Sequence, residues 1–121
     1  MRLLCADDEE DIRTILALAL GLDPALDVEI VASGQEALDC LKRNQYDAVV
    51  LDGMMPGLDG YETCRLMKAD PATAHVPVVF LTAKTQKDEV ARALALGATA
   101  CLTKPFDPLT LAGELRAALG N

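Results

Sequence analysis

The chain has 121 residues, a net charge of −8 and a 51% share of hydrophobic residues, with no Trp, two Tyr and two Phe. That length fits one domain, 1–121, which buries roughly two-thirds of the surface its unfolded chain would expose and needs no staple to fold. The acidic balance disfavours direct contact with nucleic acid or an anionic membrane, and the longest apolar run, 15–22, is far short of a membrane span.

The chain opens on a short apolar segment, 3–6, and reaches the acids Asp7 and Asp8 too soon for a signal peptide. Residues 9–20 then place Ile12, Ile15, Leu16, Ala19 and Leu20 on one helical face. A second strand is expected at 28–32. Ser33 follows as an N-cap with Glu36 three residues on, and its helix runs to about Arg43, burying Ala37, Leu38 and Leu41. Residues 48–51 form a third, wholly apolar strand that ends at Asp52. A turn-rich loop spans 53–60, and Asp59 caps a helix over 61–68. Pro71 and Pro77 bracket a loop before a fourth strand at 78–81. A helix over 85–96 stops at Gly97 as a C′ residue, a fifth strand takes 100–103, and Asp107 with Pro108 starts the last helix.

Five strand–helix repeats with continuous apolar strands predict a parallel sheet buried on both faces. The four cysteines, Cys5, Cys40, Cys64 and Cys101, show no zinc-ligand spacing. Without a secretion signal they are expected to be reduced and mostly buried, in a cytoplasmic protein.

In such a sheet, ligands bind outside the carboxyl ends of the strands. There the chain carries Asp7 and Asp8 after strand one, Asp52 at strand three, Thr82 at strand four and Lys104 after strand five. If strands one and three are neighbours, three carboxylates meet one ammonium and one hydroxyl. Clustered carboxylates repel, and a cation relieves them. An all-oxygen ligand set suits Mg²⁺, and an ammonium beside it partners phosphate. The pattern points to phosphoryl chemistry with a carboxylate nucleophile.

Taken singly, each residue has a plainer role. An Asp at a strand end is usually a helix N-cap, a Thr there is usually a turn or cap residue, and Lys-Pro usually just exits a strand. Glu9, Glu10 and Asp11 suit the start of a helix. His75 reads as a solvated loop residue, and Met54-Met55 as packing. Coincidence at four of five strand ends is far less expected than any single case.

As a set, Asp7-Asp8, the run from Val49 to Gly60 around Asp52, Leu81-Thr82-Ala83 and Gly97-Ala98 with Leu102-Thr103-Lys104-Pro105-Phe106 resemble the receiver domains of two-component response regulators, over the whole chain. The resemblance implies a flavodoxin-like (βα)5 fold with strand order 2-1-3-4-5. It implies that Asp52 accepts a phosphoryl group from a sensor histidine kinase or a histidine phosphotransfer protein. Asp8, Asp52 and the Met54 backbone carbonyl would ligate Mg²⁺, with Asp7 acting largely through water. Lys104 would pair with Asp52 and then with phosphoryl oxygens, next to a cis Lys104-Pro105 bond. Thr82, with Ala83, would move on phosphorylation, and Met54 and Lys84 would flank the path of a hydrolytic water. The downstream target or effector domain stays open, as does a phosphorylation-dependent homodimer.

Cys101 departs from the family, which usually carries Tyr or Phe three residues before the lysine and turns that ring inward on activation. Cys101 is expected to fill a half-buried strand position, leaving the switch to Thr82. Three other functions compete. An aspartyl-phosphate phosphohydrolase would need a second acid two residues after the nucleophile, where Met54 stands. A nucleotide- or flavin-binding module would need a glycine-rich turn after strand one, where acids stand. A pseudo-receiver that only binds partners would not need the full acid, threonine and lysine set.

Overall fold

The computed structural model describes residues 1–83 and 87–120. Five strands, β1 (Arg2–Ala6), β2 (Asp27–Val31), β3 (Ala48–Asp52), β4 (Val78–Ala83) and β5 (Ala100–Lys104), form one parallel sheet in the order β2-β1-β3-β4-β5. The helices α1 (Glu10–Gly21), α2 (Gly34–Arg43), α3 (Gly60–Ala69), α4 (Lys87–Ala95) and α5 (Leu111–Ala118) alternate with them. This is the flavodoxin-like order that the resemblance implied.

Alternation along each strand divides the core in two. Leu4, Ala6, Val49, Leu51, Val78 and Phe80 pack on one face with residues of α2, α3 and α4. Leu3, Cys5, Ala48, Val50, Val79 and Leu81 pack on the other with residues of α1 and α5. A strand coated on both faces has no polar phase, which is why these segments read as unbroken apolar runs. Register then sets the functional edge. Ala6 pairs with Leu51, so Asp7 comes level with Asp52, and Ala83 pairs with Lys104 at the far side of the sheet.

Helix ends follow the sequence closely. The Ser33 side chain accepts a hydrogen bond from the Glu36 N–H, and Asp59 does the same for Glu62. The Glu36 carboxylate in turn accepts from the N–H of Ala32. After α4, Gly97 adopts φ +100°, its N–H bonds the Leu94 carbonyl and the Ala98 N–H bonds that of Ala93. That pairing satisfies carbonyls the helix leaves free and requires a left-handed residue.

Three expectations shift. Asp107 accepts from the Leu109 N–H, but the residues after it form a separate turn, and α5 proper begins at Leu111. Ile15 is 37% exposed rather than sharing the buried face of Leu16, Ala19 and Leu20. On α2 the buried side chains are Ala37 and Cys40, while Leu38 and Leu41 are half-buried at the rim. The start of the fourth helix at Thr85 lies outside the described residues, as do Lys84 and the side chain of Ala83.

The loop from β3 into α3 closes tightly. The Gly60 N–H bonds the Gly53 carbonyl at 3.2 Å, and a Cβ on Gly60 would stand 2.2 Å from the Asp52 carbonyl oxygen. The expected outcome for Gly60→Ala is a loss of about 3 kcal/mol, because rigid backbone has to shift. Gly113→Ala, within α5 with nothing within 4 Å of its Cβ, is expected to gain about 0.5–1 kcal/mol. Urea denaturation of the two variants checks the contrast.

Candidate functional site

The pleat decides which side chains meet. Asp7 continues the phase of Leu3 and Cys5, Asp52 that of Ala48 and Val50, and Lys104 that of Leu102, all on the α1/α5 side of the sheet. Carboxylate oxygens of Asp7, Asp8 and Asp52 lie within 4.8 Å of one another. Lys104 comes from two strands away, its Nζ 2.9 Å from Asp7 Oδ2 and 3.3 Å from Asp52 Oδ2. Sequence reasoning pairs this lysine with Asp52; the shorter contact is to Asp7. Asp7 is fully buried, and a fully buried anion is the costlier one to leave without a partner.

Asp7 also holds the turn into α1. Its Oδ1 accepts from the Glu9 N–H at 2.9 Å, and its carbonyl accepts from Arg13 Nη1 at 2.9 Å. Asp7 is thus a turn residue and not the helix N-cap, a position that Glu9 takes without a side-chain cap bond, and its other oxygen is left for Lys104. Asp8 is exposed, and among the described residues no ion pair reaches it. Asp52 Oδ1 accepts from the Met54 N–H at 3.2 Å, which fixes the carboxylate against its own loop. Of the methionine pair, Met55 packs into the core, whereas Met54 is 67% exposed.

Electrostatics mark the same residues. Burial holds the Asp52 carboxyl above its usual range; the Lys104 charge opposes that and the Asp7 charge adds to it. Burial works against the Lys104 ammonium, but its hydrogen bond to Asp7 and the charge of Asp52 outweigh burial and raise its pKa. Beneath the site, the Cys5 thiol is pushed up to about 12 by burial and then by the Asp7 charge, so it is an inert core thiol. Cys40 and Cys64 are likewise buried, all four cysteines are free thiols, and Cys101 is half-buried against the core.

Thr82, near the end of β4, is 4% exposed, and its hydroxyl oxygen is buried without a hydrogen-bond partner among the described residues. A buried orphan hydroxyl is costly and uncommon. The Lys104-Pro105 peptide bond is cis. His75 is exposed in its loop, as expected. Two clefts of about 490 and 580 Å³ lie elsewhere, one lined by Tyr46, Asp47 and His75, the other by Leu38, Leu66 and Pro71; neither includes the carboxylates.

Sequence reasoning misses Arg13 and Tyr61. Arg13 sits six residues beyond Asp7 on an otherwise ordinary helix. Tyr61 is fully buried, and its hydroxyl reaches Glu89 of α4. An aromatic after a capping Asp-Gly carries no signal of its own beyond core packing.

The fold and its edge define a doubly wound α/β module with an acidic pocket at the carboxyl ends of β1 and β3. Residues 3–116 match the response regulator receiver domain family, and the chain belongs to that family of signalling modules. It is 36% identical over 118 residues to the DNA-binding response regulator MtrA of Mycobacterium tuberculosis (strain ATCC 25618 / H37Rv), covering 98% of this chain and 50% of that protein. The transcriptional regulatory protein YvrH of Bacillus subtilis (strain 168) is 36% identical over 117 residues, which cover 97% of this chain and 48% of YvrH. The chain thus spans about half the length of these relatives. Among solved structures, the chemotaxis protein CheY4 of Vibrio cholerae superposes with a TM-score of 0.87 at 31% identity, over 97% of each chain. The BeF3-activated DrrB receiver domain gives 0.83 at 27%, over 99% of this chain and 97% of that one. No described helix is long and apolar enough to cross a membrane.

Among the described residues the arrangement leaves more anion than cation: three carboxylates face one ammonium. Lys104→Met strips the buried Asp7 of its partner and is expected to cost about 3 kcal/mol, the lower end for breaking a buried pair. Asp8→Asn removes like-charge repulsion and is expected to move the denaturation midpoint the opposite way. Both are read by urea denaturation in the presence of a chelator.

Proposed function

We propose that the chain is a phosphoacceptor receiver unit over 1–121, that Asp52 accepts the phosphoryl group, and that Mg²⁺ is required. The observation that carries this reading is the shared lysine: Lys104 Nζ lies between the carboxylates of Asp7 and Asp52, and Asp8 stands beside them with no cation among the described residues. A purely structural salt bridge needs one carboxylate per ammonium, and here two remain over. The donor set is all oxygen, which suits a hard divalent cation. Asp8, Asp52 and the Met54 carbonyl would hold the ion directly, with Asp7 through water. Bound there, it would neutralise charge on the carboxylates and the incoming phosphoryl oxygens.

The protein's own groups then divide the work. An Asp52 carboxylate oxygen attacks the phosphorus of a phosphohistidine, the new O–P bond forms as the P–N bond breaks, and the imidazole keeps the electron pair and takes up a proton. Burial of Asp52 keeps water from competing for the same carboxylate. Lys104 supplies a fixed positive point for the phosphoryl oxygens. The orphan hydroxyl of Thr82 supplies a donor whose partner would be a phosphoryl oxygen, which gives that residue its part in the switch, together with Ala83. Cys101 is assigned to packing. A histidine kinase or phosphotransfer protein is the phosphodonor, in the cytoplasm; the output partner is a separate protein, a second copy or an attached domain.

Incubation with a small phosphodonor and Mg²⁺ should add one phosphoryl group to the wild type and none to Asp52→Asn, as read by intact mass. Asp8→Ala should block the reaction as well. Equal modification of wild type and Asp52→Asn would reject the assignment, and turnover of phosphomonoesters would favour a phosphohydrolase.

The lifetime of the product is set by what lines the approach to phosphorus. Met54 is exposed beside Asp52 and has no group that could orient a water. Slow self-dephosphorylation is expected, and Met54→Asn should speed it by supplying a polar amide. Decay timed by the loss of the mass adduct checks this; decay complete within the mixing time, or slowed in Met54→Asn, would contradict the shielding role.

A further inference from the structure

Tyr61 lies outside the chemistry described so far, yet it touches three elements that surround it. Its ring is 1% exposed and stacks on Phe80 of β4, with centroids 5.1 Å apart and planes 17° from parallel. Its hydroxyl donates to Glu89 Oε2 of α4 at 2.7 Å. The Arg92 guanidinium, one turn further along α4, covers the ring 4.3 Å from its centroid. The fourth contact is with the acceptor loop. A Cβ on Gly53, the residue after Asp52, would lie 2.8 Å from the Tyr61 hydroxyl and 2.9 and 3.0 Å from two ring carbons. Nothing larger than glycine fits between ring and loop, so a displacement of the loop there is felt by the ring.

The neighbouring strand explains why this contact has consequences. Phe80 pairs in register with Cys101 of β5, and the two pack on the same side of the sheet. The small thiol offers no ring to turn, so Tyr61 is the aromatic that joins the core to α4 here. Helix α4 is otherwise lightly held: among its described side chains only Ala93 is buried, Val90 and Glu89 are half-buried, and Leu94 is 49% exposed. A helix with so little apolar burial can move when one hydrogen bond and one ring contact move. Burial and the Glu89 carboxylate keep the Tyr61 hydroxyl protonated, so it acts as a donor throughout.

We propose that Tyr61 is a positioning residue that couples the acceptor loop to α4. Its hydroxyl end bears on Gly53 and bonds Glu89, and Arg92 covers its ring, so that a change at Asp52 reaches the outer surface of α4 through this side chain. The proposal rests on the phosphoacceptor reading, because it needs the loop to respond to a phosphoryl group. A coupling residue of this kind has two contacts that a ligand can bias differently, which is what a transmitted shift requires.

The test is a set of ¹H–¹⁵N spectra of wild type, Tyr61→Phe, Glu89→Ala and Glu89→Gln, each with and without beryllofluoride and Mg²⁺ as a phosphoryl mimic. Wild type should show shifts at Met54 and Thr82 and along α4. In Tyr61→Phe, which keeps the ring against Gly53 and Phe80, the shifts at Met54 and Thr82 should persist while those in α4 are lost. Glu89→Ala, a change at a half-buried helix position that leaves the Tyr61 ring in place, should do the same. Glu89→Gln keeps an acceptor for the hydroxyl and should restore the α4 response. A residue that merely stabilised the fold would lower the denaturation midpoint without separating the two sets of shifts. An α4 response in Tyr61→Phe and Glu89→Ala equal to wild type would overturn the coupling. An absence of shifts at Met54 and Thr82 in wild type would remove the phosphoacceptor reading beneath it, and the proposal with it.

Discussion

The contact of Lys104 with both Asp7 and Asp52 is the interaction on which the rest of the edge depends. Asp7 is fully buried and Asp52 nearly so, and charges in such places are retained only when paired. One ammonium serves two buried carboxylates, and a third carboxylate, Asp8, stands within 4.8 Å with no cation of its own among the described residues. The protein therefore folds with a standing excess of negative charge at one end of its sheet. Asp7 and Asp52 are buried at this site while Asp8 faces solvent.

Much of the remaining architecture keeps that imbalance in place. The pleat puts Asp7, Asp52 and Lys104 in one phase, and parallel register brings the first two level. The Glu9 N–H and Arg13 fasten Asp7 from the α1 side, and the Met54 N–H fastens Asp52 from its loop. Gly60 lets the start of α3 pass against the Asp52 carbonyl. Each contact is modest, about 1 kcal/mol net for an ordinary hydrogen bond and more for one to a charged group. Together they hold the Asp7 and Asp52 carboxylates closer than they would settle unaided. Pre-set geometry of this kind is how a protein meets developing charge without reorganising at the moment of reaction.

The fold was largely legible in the sequence because two-sided burial leaves a simple trace: apolar strands of about five residues, separated by amphipathic helices with recognisable caps at Ser33, Asp59 and Gly97. The acidic edge was legible too, because acids and a lysine at strand ends break that apolar pattern. What escaped were contacts between elements. The nearer pairing of Lys104 with Asp7 depends on how deeply each carboxylate is buried, which a strand-end position does not reveal. The late start of α5 depends on a separate turn after Asp107 that satisfies the same cap chemistry. Tyr61 reads as core because it is core; its links to Gly53 and Glu89 arise only once α3 is laid against β4. The hydroxyl of Thr82 could be placed at a strand end from sequence, but its lack of a partner could not.

The central claim is that the excess negative charge is there to take up a divalent cation beside Asp52. Calorimetric titration of Mg²⁺ into the metal-free protein tests it most directly, with Asp8→Asn as the comparison. Saturable uptake of one ion per chain, lost or strongly weakened in Asp8→Asn, is the expected result. No saturable uptake by the wild type, or equal uptake by both proteins, would contradict it.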